Sequence, residues 1–109
     1  MFRFKHENLD VCRLTVECVQ WFRSAHWPRG TSHLKDQGCR AIDSVAINIA
    51  EGVGRGRRAP AAGRNHLSIA HASAAEACAV LDLIELDGGP AVQEKLRRVG
   101  VMLVKMGGG

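Results

Sequence analysis

Tyrosine is missing from this 109-residue chain, and its aromatic side chains number five in all. Strands draw on aromatic and β-branched residues, so this scarcity, together with the Ala-rich run from Ala70 to Ala79, argues against a sheet. Also lacking is any run of about 18 uncharged apolar residues, which excludes a membrane-spanning helix. The first residues, Met1 to His6, hold no apolar signal-peptide core and lead directly into charge. There is no Cys-x-x-Cys pair, and no histidine stands four residues from another histidine or from a cysteine. No metal site and no cofactor are therefore expected. Without an export signal, Cys12, Cys18, Cys39 and Cys78 read as reduced thiols acting as small hydrophobes in a cytoplasmic protein.

The composition that remains is that of one small globular domain. Hydrophobic residues make up 46% of the chain, too many for disorder, and 15 Lys+Arg against 11 Asp+Glu leave a net charge of +4. Helical periodicity dominates, broken at three points. Helices are expected over roughly residues 7–26, 32–53, 60–86 and 90–106, with a flexible tail at 107–109. The breaks are Trp27-Pro28-Arg29-Gly30, Gly54-Arg55-Gly56 and Asp87-Gly88-Gly89, and Pro60 and Pro90 suit first helical turns. Four helices on short connections predict an all-α fold: an antiparallel up-down-up-down four-helix bundle.

Apolar patterning differs between the segments. In the last, Val92, Leu96, Val99, Leu103 and Met106 alternate steps of four and three and stack on one face. The first carries two stripes: Val11, Leu14, Cys18, Trp21, Phe22 and Ala25 on one side, and Leu9, Cys12, Val16 and Val19 on nearly the opposite one. A corner helix of a monomeric bundle needs only the first stripe, so the second marks either a deeply embedded helix or a subunit interface, of which self-association is the favoured reading. The small side chains of the third segment permit close helix approach but supply little burial.

In the second segment the run Arg40-Ala-Ile-Asp-Ser-Val-Ala-Ile-Asn-Ile-Ala-Glu-Gly52, with Leu34 and Gln37 before it and Gly54-Arg55 after it, resembles a known signature. It is that of the four-helix-bundle family of 23S rRNA intervening sequences, to which accessory variability proteins of diversity-generating retroelements are similar. A second match runs from Leu67 to Ser73, with Glu76 one turn later. The chain departs from the pattern at His66, where an aromatic is usual, at Ala72, where glycine is usual, and in a longer connection around Ala59 to Gly63. Trp27-Pro28 stands where the family commonly has a tyrosine. The resemblance implies a small cytoplasmic bundle that assembles into a ring-like homo-oligomer, a homopentamer. It also implies, for some members, binding of RNA or DNA, or of a reverse transcriptase or other nucleoprotein. It implies no enzymatic activity.

Two groups of residues are candidates for a site. Arg40, Ser44, Asn48 and Glu51 recur at steps of four, four and three and share a helix face, while Ser73 and Glu76 make a similar pair on the third segment. If the two faces meet, these six form a polar layer in which Asn48 and Ser73 satisfy a partly buried carboxylate. Such a layer fixes register or oligomer state. Paired Glu51 and Glu76 are the one acid–base or metal possibility, but Gly54 and Ala79 stand where the helical di-metal motif needs histidine. No catalytic residue is expected.

The second group is basic. Up-down topology gathers Arg3, Lys5, Arg55, Arg57, Arg58, Arg64 and Lys105 at one end. Asp82, Glu85, Asp87 and Glu94 fall at the other, with no Lys or Arg between Leu67 and Glu94. Repeated around a symmetric assembly, the end carrying Arg55, Arg57, Arg58 and Arg64 makes a platform for phosphates, with no aromatic residue in that turn to stack on bases. The expected function is that of a non-enzymatic nucleic-acid-binding or nucleoprotein-associated bundle; the alternative is a structural protein–protein interaction module.

Overall fold

The computed structural model describes residues 2–108, and all regular structure among them is helical. A short 3-10 turn, Lys5–Asn8, leads into α1 (Asp10–Ser24), α2 (Ser32–Arg55), α3 (Pro60–Asp82) and α4 (Gly89–Leu103). A last turn, Val104–Gly108, follows α4 and is kinked at Gly107, whose φ of 101° is left-handed. Each helix packs on two others, in the cyclic order α1, α2, α3, α4, which makes a four-helix bundle around one core. No described helix is long and apolar enough to cross a membrane.

Local chemistry sets most boundaries. Pro60 and Pro90 sit in the first turns of α3 and α4, where the missing N–H costs nothing. Gly88 enters α4 at φ 82°, a left-handed conformation that strains any residue with a Cβ. The expected continuation of the third helix to Leu86 is not found; α3 ends at Asp82. At about 100° per residue, a continued helix would carry both Leu83 and Leu86 away from the core side that Ala74 and Leu81 define. By leaving the helix the chain turns Leu86 inward, where it is buried, and only Leu83 stays out, 71% exposed.

The core runs through Phe22, Ile42, Val45, Ile49, Val99 and Leu103, all essentially solvent-free. The seam expected on α4 is there: Val92, Leu96, Val99 and Leu103 are buried, and Met106 packs half-buried against them. Thr15 is buried among apolar groups, and its hydroxyl donates to the Val11 carbonyl at 2.7 Å. That i−4 bond satisfies a polar group which would otherwise be costly to bury.

The second stripe of α1 behaves differently from expectation. Leu9, Cys12 and Val19 are half-buried against the core of their own chain, and Val16, at 47%, is the one member left exposed. The 3-10 turn at Lys5–Asn8 packs on α1 and α2, a contact that a helical wheel of α1 alone does not reveal. The described part of the expected tail is also packed. Gly108 is buried, and a Cβ there would lie 2.7 Å from that of Leu67. Gly109 lies outside the described residues.

The contact between α2 and α3 is the most extensive in the molecule, and glycines make it close. A Cβ at Gly52 would lie 2.8 Å from Leu67 and 3.0 Å from the Gly63 carbonyl; one at Gly63 would lie 2.9 Å from the Gly52 carbonyl. Further along, Gly38 lies beneath the Phe22 ring and beside Val80. Successive contacts, Gly38 with Val80, Ser44 with Ser73 and Gly52 with Gly63, advance along α2 as they retreat along α3.

Candidate nucleic-acid interface

The glycine contact shapes the turn that follows it. Where α2 ends at Arg55, the Gly56 N–H donates to the Val53 carbonyl at 3.4 Å and the Ala59 N–H to the Arg55 carbonyl at 2.8 Å. These bonds reverse the chain within four residues. The backbones are packed too tightly for side chains to point inward, and Arg55, Arg57, Arg58 and Arg64 are all exposed. Arg55 lies 3.6 Å from Glu51. Arg57, Arg58 and Arg64 make no ion pair among the described residues.

The carboxyl-terminal turn returns to the same end. A Cβ at Gly107 would touch the aliphatic stem of Arg64 at 3.5 Å, so the arginine lies across this turn on its stem. That places the turn bearing Lys105 beside Arg64. Gathered cations with few acids raise the local potential for phosphate groups, an effect that salt screens over about 10 Å at 0.1 M.

A polar ladder connects this end to the middle of the bundle. The Ser44 and Ser73 hydroxyls are hydrogen-bonded across α2 and α3 at 2.9 Å. The Asn48 amide N–H groups donate to the Ser44 carbonyl at 2.9 Å and to its hydroxyl at 3.2 Å. With its nitrogen so committed, Asn48 turns its carbonyl oxygen to His66 Nδ1, 2.9 Å away, and this ring nitrogen is therefore the donor. The other ring nitrogen, Nε2, lies 3.3 Å from Glu51 Oε2, the oxygen that also faces Arg55. Among the described residues no buried side-chain nitrogen or oxygen is left without a partner.

Of the six residues expected in the polar layer, Ser44, Asn48, Glu51 and Ser73 are brought together. Arg40 and Glu76 are not; both are exposed and make no side-chain hydrogen bond or ion pair among the described residues. The reason is angular: Arg40 lies about 80° round α2 from Asn48, and Glu76 about 60° round α3 from Ser73, both toward solvent. Nor are Glu51 and Glu76 a carboxylate pair. Glu51 is level with His66, and Glu76 lies ten residues, about 15 Å, further along α3. The ladder's missing member is His66. Its position seven residues before Ser73, two turns along one face, was the available signal.

The cysteines are distributed away from this end's chemistry. Burial raises all four thiols above their ordinary value, Cys18 to about 11, where Lys95 lowers it and Glu17 raises it by smaller amounts. At neutral pH they remain protonated and pack as apolar groups.

A family model described as 23S rRNA-intervening sequence protein matches residues 7–101, from the turn before α1 to the last turn of α4. No curated protein and no solved structure matches the chain significantly.

Proposed function

The chain belongs to the 23S rRNA-intervening sequence protein family, and from that premise we propose that it is a non-enzymatic accessory protein whose basic end binds nucleic acid. In this reading the bundle is antiparallel, up-down-up-down, and self-associates into a ring that sets several basic ends side by side. The observation that carries the reading is the glycine-closed turn: Arg57, Arg58 and Arg64 are exposed and make no ion pair among the described residues, with Arg55 and the Lys105 turn beside them. Phosphate contacts position a protein on nucleic acid, whereas base edges and stacking platforms specify sequence. No aromatic residue belongs to this turn, so binding is expected to be sequence-tolerant.

Gel-shift titration of a generic single-stranded RNA tests the proposal. Binding at low salt that is lost with Arg55→Ala, Arg57→Ala and Arg58→Ala combined supports it. No binding at low salt, or binding indifferent to those substitutions, rejects it.

A structural protein–protein module is the second reading, and one observation favours it. Between α3 and α4 runs an open groove of about 410 Å³ whose lining includes Ala75, Cys78, Ala79, Gly100, Val101 and Val104. Nuclease treatment separates the two readings: partners recovered from cell extract are released by nuclease only if nucleic acid holds them.

A further inference from the structure

The ladder establishes which residues of α2 and α3 stand at one height in the bundle. Ser44 meets Ser73. Four residues back along α2 and three forward along α3, Arg40 comes level with Glu76. Three forward along α2 and four back along α3, Ile47 comes level with Ile69. All four lie on the solvent side of the ladder. Ile47 is 58% and Ile69 41% exposed, and standing level on adjacent helices they make one apolar patch instead of two scattered side chains. Arg40 and Glu76, on adjacent helices and of opposite charge, pair neither with each other nor with any other described residue.

We propose that this outer face of α2 and α3 docks a second copy of the chain, with α2 of one copy along α3 of the other. Ile47 then packs on the partner's Ile69, and Arg40 pairs with the partner's Glu76. The inference rests on the self-association proposed above and says where it happens, on α2 and α3 instead of the largely covered flank of α1. Matched heights select the occupant. Rotation about any axis parallel to the helices leaves every residue at its own height, so the isoleucines meet each other and the charges meet their opposites. A phosphate backbone or an anionic membrane finds no such match, because each cation here has an acid at its level. The isoleucines supply the burial, and the ion pair sets register and excludes other alignments. The same axis leaves every basic turn at one end of the assembly, which gathers the arginines into a common rim.

Sedimentation velocity of the full chain tests the contact. Ile47→Asp should abolish association, and Arg40→Glu or Glu76→Arg alone should weaken it about tenfold or more, since like charges then face each other. An equimolar mixture of the Arg40→Glu and Glu76→Arg chains should associate again, because each supplies the charge that the other lacks. All three positions are solvent-exposed, and circular dichroism should report unchanged helix content. Wild-type mass in the single charge reversals, or a mixture that stays dissociated, would overturn this contact while leaving self-association standing. A monomeric wild type would overturn both.

Discussion

At one end of the bundle Trp21, Phe22 and Trp27 fill the space between α1 and the connection from α3 to α4; at the other, glycines of α2 and α3 touch and four arginines face water. The aromatic end is closed by large side chains. Phe22 is solvent-free, its ring stacked on Trp27 with centroids 5.9 Å apart and set edge-on to Trp21 at 5.3 Å. The Trp27 indole N–H donates to the Phe22 carbonyl at 3.1 Å. The glycine end is closed by backbone, with Gly52, Gly56 and Gly63 in mutual contact. Closing an end with backbone leaves its side chains free for another task. The comparison teaches that the two ends are closed by different means; if the basic end binds as proposed, stability and binding are separated along the axis, and substitution should show it.

The largest effect is expected from Phe22→Ala. It should lower the free energy of unfolding by about 3–5 kcal/mol, because the solvent-free ring fills the space above Gly38 and its removal leaves a cavity. Arg57→Ala and Arg58→Ala should change it by less than about 0.5 kcal/mol. Urea unfolding measures both, and comparable losses would break the contrast.

Between the ends, Asn48→Leu should cost about 1–3 kcal/mol, since Ser44 and His66 lose a partner in a half-buried setting. RNA affinity of the folded variant should be unchanged. A fall in affinity without a fall in stability would move the ladder from architecture to binding.

A smaller and sharper comparison lies within the glycine end. Gly63→Ala drives a methyl group into the Gly52 carbonyl and the Gly56 Cα, backbone atoms that cannot swing aside, and should cost about 1–3 kcal/mol. Gly54→Ala, two residues from that contact, faces open space within the helix and should stabilise by about 0.5–1 kcal/mol. Thermal unfolding of the two variants should therefore shift in opposite directions. Equal shifts would mean that backbone proximity does not close this end.

Local signals in the sequence were enough for much of this. Ser32, Pro60 and the Gly-Gly-Pro that opens α4 announce helix starts, and the seam of α4 is legible as spacing alone. Ser44, Asn48, Glu51 and Ser73 share faces at helical steps, so most of the ladder could be anticipated. What escaped depends on partners distant in sequence. Leu86 leaves the helical path because the core lies elsewhere, and the flank of α1 is half-buried against neighbours that its own periodicity does not encode. His66 looked like a replaced aromatic because its two ring nitrogens find their partners on another helix. The arginine run is plain in the sequence, but the packing of Arg64 across Gly107 follows from the return of the chain after α4.

The most direct test of the separation between a stabilising end and a binding end is the salt dependence of single-stranded RNA affinity. Logarithmic affinity should fall linearly with logarithmic salt concentration, each phosphate contact contributing about −0.7 to the slope. With Arg57→Ala and Arg58→Ala combined, the slope should become shallower by about 1.4 while the unfolding transition stays in place. Parallel lines for wild type and variant would contradict the account.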